Sequence, residues 1–411
     1  MDRVEFTKEM KKTHTILIPN MLNIHFQMLA NVLEDDGYKV ELLKTDNPNI
    51  TREGVMNVHN DTCYPALLVI GQFIDALKSG KYDLDHVALI ITQTGGGCRA
   101  SNYIHLLRKA LKNNSMGQIP VISLNFSGLE KHSGFPMNAR FLVKAVYAVI
   151  YGDMLMWISN QCLPYEINNG DTKKVIDKWS REICRQLHSP NEFLRLKKNF
   201  NEILDDFSAI ERSKEEKIKV GIVGEIYMKF SPLGNNKLEE TIIKENGEPV
   251  VTGLLDFILY CVENMILDYK IYGINRKVKV IATFVRKYLI HPQNVMIECI
   301  EKHGEFRNIT NFNKMKHMAD DYISKGVKMG EGWLLTSEML ELIHSNVNNI
   351  VCCQPFGCLP NHIVAKGMMR KIKDNHPESN IVAIDYDPGA SKINQENRIK
   401  LMLSNAKMTN I

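Results

Sequence analysis

Short apolar runs separated by helical patterns constrain the fold of this chain more than any other feature. In the first third, four such runs cover residues 15–19, 39–43, 86–91 and 119–124. Helical spacing separates them at residues 24–33, 65–77 and 103–111. Strands that are apolar on both faces and alternate with helices are typical of a parallel sheet covered on two sides. The first third is therefore predicted to be an α/β lobe.

A long helical stretch is followed by a second series of the same kind. Residues 138–217 have helical periodicities and no clear strand, and the charged run at 211–219 is typical of a solvated helix end or linker. Strands are then predicted at residues 220–223, 249–251, 349–353 and 380–385, and helices at 237–244, 253–267, within 277–324, at 359–373 and at 391–403. The predicted fold is α/β, with two Rossmann-like parallel-sheet lobes, residues 1–137 and 218–411, and a helical connecting portion, residues 138–217.

Composition excludes several classes of protein. Of the 411 residues, 44% are hydrophobic and 24% are charged, as in folded soluble proteins, so intrinsic disorder is excluded as the main state. The net charge of +4 gives no electrostatic reason to expect nucleic acid or an anionic membrane as a partner. No signal-peptide pattern opens the chain, and the longest apolar stretch, residues 141–158, contains Lys144 and Asp153 and is predicted to be a buried helix. A cytoplasmic protein is expected.

Cysteine is the residue type that most invites a functional interpretation. The nine cysteines are Cys63, Cys98, Cys162, Cys184, Cys261, Cys299, Cys352, Cys353 and Cys358. Their number is odd, the chain is large and nothing indicates export, so a disulfide framework is not expected. Free thiols and metal ligands are the two interpretations that remain.

A weak internal repeat singles out two of these cysteines. Residues 90–102 and 351–361 each contain an apolar strand, a glycine-containing turn, a cysteine and the start of a helix. The matching residues are Gln93 and Gln354, Cys98 and Cys358, and Asn102 and Asn361. Both cysteines are predicted to lie where the carboxyl end of a parallel strand meets a helix, which is where open α/β sheets bind ligands. Because a helix N-terminus stabilises negative charge by about 0.3–1 kcal/mol, both are expected to be thiolates.

A third cysteine, Cys63, lies at another predicted helix start, just before Pro65. None of the three forms a CxxC pair of the kind that structural zinc sites use. Thiolates far apart in sequence suit an iron–sulfur cluster held between lobes, and Gly95, Gly96 and Gly97 would let backbone amides approach an anionic group before Cys98. The competing interpretation is that each cysteine is a small buried hydrophobe.

Other residues have plainer interpretations. Cys162, Cys184, Cys261 and Cys299 lie in helical patterns and are predicted to be core residues. Cys352 and Cys353 lie on a predicted strand, where core is the default and an extra ligand the alternative. The segment GIVGE (221–225) is predicted to be a strand and turn, GEGW (330–333) a turn or part of the cleft, and DYDPGAS (385–391) a turn.

Longer segments around these residues carry a family resemblance. They are NDTCYPALLVIGQFIDALKSGKYDLDHVALIITQTGGGCRASNY (60–103), VGIVGEIYMKFSPLGNN (220–236), GEGWLLTSEM (330–339), QPFGCLPNHIVAKGM (354–368) and IVAIDYDPGASKINQENRIKLML (381–403). The chain resembles the 2-hydroxyacyl-CoA dehydratase-related proteins, and in particular the segment often fused behind ATP-dependent dehydratase activase domains. The similarity extends over about residues 14–406.

This resemblance implies an iron–sulfur protein of anaerobic metabolism. In the related dehydratases, cysteines hold a [4Fe–4S] cluster, an Hsp70- and actin-like ATPase drives one electron into it, and water is eliminated from a 2-hydroxyacyl-CoA by radical chemistry. Cousins of the family carry a double-cubane cluster and reduce small molecules. By motif, the ligands here would be Cys63, Cys98 and Cys358. The sequence contains no ATPase region, so the activator is expected to be a separate protein.

Two departures leave alternatives open. The family pattern has one cysteine before QPF, whereas this chain has Cys352 and Cys353, either of which is a candidate fourth ligand. No residue corresponds clearly to a substrate-binding group or a catalytic acid or base. The chain is therefore expected to be a radical lyase, a low-potential reductase or an accessory subunit, as a homodimer or heterodimer. The alternative is a metal-free two-lobed module that binds a nucleotide or a CoA ester.

Overall fold

The computed structural model describes residues 3–59, 61–94, 97–125, 130 and 132–409. Its first lobe is built around one four-stranded parallel sheet of order β2-β1-β3-β4. The strands are β1 (Thr15–Pro19), β2 (Lys39–Leu43), β3 (Val87–Thr92) and β4 (Val121–Leu124), and the helices are α1 (Met10–Thr13), α2 (Asn23–Asp35), α3 (Pro48–Asn57), α4 (Tyr64–Lys78) and α5 (Tyr103–Asn113). All four predicted strands are confirmed, with shifts of one or two residues at three of the eight ends.

The connecting portion is helical, as predicted. It consists of α6 (Ala139–Ser159), α7 (Asp171–His188) and α8 (Leu196–Ser208). Helix α6 is long and apolar enough to cross a membrane, but 72% of its most apolar window is buried inside the protein. The expectation of a buried core helix is therefore confirmed.

Helix α6 also joins the two lobes. The Asp153 carboxylate lies 2.7 Å from Nε2 of His25 in the first lobe, and it accepts hydrogen bonds of 2.8 Å from the backbone amides of Leu254 and Leu255 in the second. A carboxylate at that position caps a helix N-terminus and satisfies amides that have no partner within the helix. One buried side chain thus fixes elements from three parts of the chain.

The second lobe repeats the sheet of the first. Its strands, in the order β6-β5-β7-β8 and all parallel, are β5 (Ile218–Gly224), β6 (Gly247–Val251), β7 (Asn349–Pro355) and β8 (Asn380–Tyr386). Its helices are α9 (Ile226–Phe230), α10 (Leu238–Lys244), α11 (Leu254–Tyr272), α12 (Arg276–His303), α13 (Phe312–Met315), α14 (Trp333–His344), α15 (Leu359–Val364), α16 (Met369–Asn375) and α17 (Lys392–Thr409). The chain is an α/β protein with two four-stranded parallel sheets and many helices, as predicted.

One predicted helix is wrong. The pattern at 359–373 predicts a single helix, whereas the structure has α15, a 3₁₀ turn at Lys366–Met368 and then α16. The hydroxyl of Thr336 donates a 2.6 Å hydrogen bond to the carbonyl of Val364. A carbonyl that accepts a side-chain donor at the last turn is one way in which a helix is interrupted.

The hydrophobic core is continuous between the lobes. One cluster of buried side chains includes Leu17 and Ile70 of the first lobe, Leu155 of α6 and Ile222 and Ile350 of the second. A smaller cluster covers the other face of the first sheet. The two sheets are thus packed into one body through the connecting helices.

Candidate functional site

The three candidate cysteines each occupy the N-cap position of a helical segment. Cys63 precedes α4, Cys98 precedes the 3₁₀ turn Arg99–Asn102 that leads into α5, and Cys358 precedes α15. In each case the backbone is extended at the cysteine and helical after it, so the thiol lies beside amides that have no partner within the helix. The predicted position at three helix starts is confirmed.

The sheet topology explains why these helix starts are neighbours. Strands β3 and β7 are the third strands of two sheets with the same order, and Cys98 and Cys358 follow their carboxyl ends. Strand β5 lies beside β7, and Glu225 follows it directly. The carboxyl ends of adjacent strands whose connections run to opposite sides form the crevice in which α/β proteins bind ligands.

Backbone contacts between the lobes bring the loop that carries Cys358 against the loop that carries Cys63. The amide of Tyr64 donates a 2.9 Å hydrogen bond to the carbonyl of Phe356. At Gly357, where φ is +71°, a Cβ atom would lie 3.1 Å from Cα of Cys63. The loop before Cys358 therefore lies directly against the start of α4, at a distance that only glycine permits.

A second pair of contacts closes the site around Cys98. The amide of Gly97 donates to Sδ of Met329 at 3.2 Å. A Cβ atom at Gly330 would lie 3.9 Å from Sγ of Cys98 and 3.1 Å from the Pro360 ring. Met329 and Gly330 of the second lobe therefore lie against Gly97 and Cys98 of the first.

The three thiols are close enough to affect each other's charge. A negative charge on Cys98 raises the pKa of Cys63, and one on Cys63 raises the pKa of Cys358. Charges on Cys63 and Cys98 both raise the pKa of Tyr103, whose hydroxyl lies 2.7 Å from Sγ of Cys63. The segments that carry the three cysteines thus adjoin one another, and Tyr103 lies beside Cys63.

Two carboxylic acids lie near these cysteines. We call the region around Cys63, Cys98, Cys358, Tyr103 and these two acids the pocket. The side chain of Glu225 accepts a 2.9 Å hydrogen bond from the amide of Met228, and Oε1 of Glu331 accepts one of 3.0 Å from the amide of Ile226. Burial raises the pKa of both carboxyls, and repulsion adds to this, from Glu331 at Glu225 and from Glu338 at Glu331. Their negative charges in turn raise the pKa values of Cys98 and Cys358.

The expectation that Cys98 and Cys358 are thiolates is wrong for the protein without a bound cation. Burial raises the pKa of Cys98 and Cys358, and raises that of Cys63 to about 11. Backbone amides at the helix starts act in the opposite direction but are outweighed. The loss of hydration destabilises a buried thiolate by more free energy than the partial positive charge at a helix N-terminus stabilises it. A bound metal ion would reverse this balance.

The sulfurs do not form a finished coordination shell. In the described part of the chain, no three His, Cys, Asp or Glu side chains are arranged closely enough to hold a metal ion. Gly95 and Gly96, which complete the loop before Cys98, lie outside the described residues. The pocket therefore combines suitable donor types with a spacing wider than that of a single-ion site.

The two adjacent strand cysteines point to different surroundings. The thiol of Cys352 lies 3.7 Å from Oδ1 of Asn361, and the charges of Lys366 and Asp385 affect its pKa. Cys353 is influenced by Glu225 and by the Tyr386 hydroxyl. Both are fully buried. Cys353 is the one on the side of the pocket, and its role as a ligand remains a prediction.

Sequence reasoning missed several residues of the pocket. Glu225 lies in a segment predicted to be only a strand and turn, and Glu331 in one for which turn and cleft were left open. Tyr103 and Met329 carried no signal of their own. The usable signal was the pair of short motifs GIVGE and GEGW, each of which places a glutamate next to glycine just before a helix.

No protein-family model matches the chain, and no curated protein is detectably similar to it. The resemblance to 2-hydroxyacyl-CoA dehydratase-related proteins therefore stays a prediction. What can be said of function depends on the chemistry of the pocket itself.

Proposed function

We propose that this chain is an iron–sulfur redox protein whose cluster is held by Cys63, Cys98 and Cys358. The observation that carries the proposal is that three cysteines, spread over 295 residues of chain, each occupy a helix N-cap on segments of the two lobes that contact one another. Unrelated core cysteines have no reason to share a pocket at three helix starts. Iron–sulfur clusters are ligated by cysteine thiolates and tuned by backbone hydrogen bonds and burial.

The residue types present suit an iron–sulfur cluster, because cysteine thiolates are its usual ligands. Three thiols with high pKa values beside Glu225 and Glu331 form a pocket that disfavours further negative charge and favours a cationic occupant. The amides at the helix starts would then donate to the sulfurs, and the buried walls would exclude water. An iron–sulfur cluster supplies one-electron redox chemistry. A [4Fe–4S] cluster with three protein thiolates leaves one iron for another ligand, and a double-cubane cluster is the alternative.

The reaction class follows from the family resemblance. On that basis we place the chain with radical 2-hydroxyacyl-CoA dehydratase-like lyases or low-potential reductases, with an acyl-CoA as the substrate of the former. The electron would come from a separate Hsp70- and actin-like ATPase. In either case the residues of this chain would hold the cluster, keep water away from it and position Tyr103, Glu225 and Glu331 beside it.

Anaerobic purification tests the proposal. The wild-type protein should be brown and should contain about four iron and four acid-labile sulfide per [4Fe–4S] cluster. Cys63→Ala, Cys98→Ala and Cys358→Ala should each lose most of the iron. Cys299→Ala is the matched control, because Cys299 is buried like Cys63 and Cys358 but lies on α12. A colourless wild-type protein without iron, or equal iron in all four variants, would refute the assignment.

The metal-free binding module makes the opposite prediction. In that case the cysteine variants would leave colour, iron content and affinity for a nucleotide or CoA ester unchanged. Calorimetric titration of wild type and Cys98→Ala with coenzyme A and with ATP distinguishes the two functions. An accessory subunit differs from an enzyme only in turnover, which an assay with a partner ATPase and a low-potential electron donor measures.

A further inference from the structure

Helices α11 and α12 form a hairpin whose tip is unusually apolar for a surface. Every residue from 270 to 278 is exposed. Ten large apolar side chains of the hairpin are at least 40% exposed: Met265, Ile271, Tyr272, Ile274, Val278, Val280, Ile281, Phe284, Val285 and Tyr288. Monomeric proteins rarely expose a contiguous apolar patch of more than a few hundred Å². This hairpin surface therefore requires an explanation.

The exposed residues of α12 follow a helix-packing pattern. Val278, Ile281, Val285 and Tyr288 are spaced by three, four and three residues. This is the spacing with which one helix packs along another. The buried residues Ala282 and Leu289 lie on a different line of the same helix. The exposed line is therefore a second packing surface, separate from the one that faces the body of the protein.

We infer that this surface pairs with the same surface of a second copy of the chain, with two α12 helices antiparallel and the two-fold axis midway between Ile281 and Val285. The spacing of three, four and three residues is the same in both directions along the helix. Val278 of one copy comes opposite Tyr288 of the other, and Ile281 comes opposite Val285. A symmetric dimer needs a patch that is complementary to itself, and this line of residues satisfies that condition.

The size of the patch agrees with a dimer. Stable interfaces bury roughly 800 Å² on each partner, and ten half-exposed large apolar side chains are of that order. Because α11 contributes Met265, Ile271 and Tyr272, two hairpins would form a four-helix arrangement.

The charges of the hairpin are compatible with this register. The basic residues Arg276, Lys279 and Lys287 lie off the apolar line. Lys277 borders it, and antiparallel pairing about this axis brings it beside Tyr288 of the second copy, an arrangement that suits a cation and an aromatic ring. The two copies of Lys277 are then about twelve residues apart along the helices, roughly 18 Å. A parallel arrangement would instead place them side by side.

Oligomeric state tests the inference. Sedimentation velocity at about 10 µM should give twice the chain mass of 47.0 kDa. Ile281→Glu should raise the dissociation constant at least about 100-fold, because it places a carboxylate against the apolar Val285 of the second copy on each side of the axis. Ile281 is 64% exposed, so the variant should fold. Leu401→Glu on α17 is the control, since Leu401 is 62% exposed and lies outside the hairpin.

Cross-linking tests the register. The double variant Ile281→Cys with Val285→Cys should form a covalent dimer on mild oxidation, because these two positions lie opposite each other across the axis, whereas Ile281→Cys with Lys287→Cys should not. A monomeric wild type, or a dimer that survives Ile281→Glu, would overturn the inference. Binding of a monomeric wild type to vesicles of phosphatidylcholine with phosphatidylserine, but not of phosphatidylcholine alone, would instead assign the surface to an anionic membrane. Iron content is measured separately, so failure here leaves the cluster proposal unaffected.

Discussion

Gly357→Ala should disturb the junction of the lobes more than glycine replacement elsewhere. The residue has φ of +71°, and an added Cβ would lie 3.1 Å from both Cα of Cys63 and Nη1 of Arg99. Holding alanine in the left-handed region costs about 1–2 kcal/mol. Forcing the two backbones apart adds the roughly 1–3 kcal/mol typical of overpacking. The expected loss in the free energy of unfolding is thus about 2–5 kcal/mol.

Gly80→Ala separates these two contributions. Gly80 has φ of +74° with no atom within 4 Å of the added Cβ, so only the conformational cost applies. Urea unfolding followed by far-UV circular dichroism should show Gly357→Ala to be less stable than Gly80→Ala by about 1–3 kcal/mol. Alkylation of Cys63 by iodoacetamide in the folded protein should accelerate only in Gly357→Ala. Equal losses of stability with unchanged labelling would refute the argument that the lobes meet at this glycine.

Further predictions concern buried polar groups and the strand cysteines. Burial lowers the pKa of His132 to about 4, and its neutral Nδ1 accepts a 3.1 Å hydrogen bond from the amide of Phe6. The unfolded state therefore binds a proton near pH 6.5 and the folded state only near 4, so stability should fall as pH drops through this range, and His132→Gln should flatten the profile of urea midpoints. Lys229→Met should cost about 3–5 kcal/mol because it leaves Glu338, 2.9 Å from its ammonium, buried without a cation, and Glu338→Leu in the same chain should restore most of the loss. Cys353→Ala should cost about 1 kcal/mol in stability but leave iron content unchanged if Cys353 is a core residue; loss of iron would make it a ligand.

Much of the fold could be predicted from the sequence because strands buried on both faces are apolar throughout. Strands β1 and β2 match the predicted residues at both ends. Helix α3 was missed because only Ile50, Glu53 and Gly54 are buried along it, so it has no apolar stripe to detect. Its start does carry a local signal, the Asn47 side chain that caps it and Pro48 in its first turn.

The site was less predictable because its assembly depends on contacts between distant segments. The cysteines could be found, since a residue before a helix that follows a strand has a definite place in an α/β sheet. The protonation state of the cysteines could not be predicted. A helix N-terminus can be recognised in the sequence, whereas the depth at which Cys358 is buried cannot. Glu225 and Glu331 could not be paired for the same reason: their neighbourhood depends on how β5 and the loop before α14 pack.

The carboxylate of Asp153 has a consequence for how molecules reach the pocket. It binds His25 on one side of the cleft and the first amides of α11 on the other. A hinge opening of the two lobes would break these hydrogen bonds of Asp153 and separate side chains of the shared hydrophobic core. If the proposed function is right, iron, sulfide and substrate should instead enter by displacement of the short segments at the rim, such as the one that carries Met329, while the two lobes stay in contact.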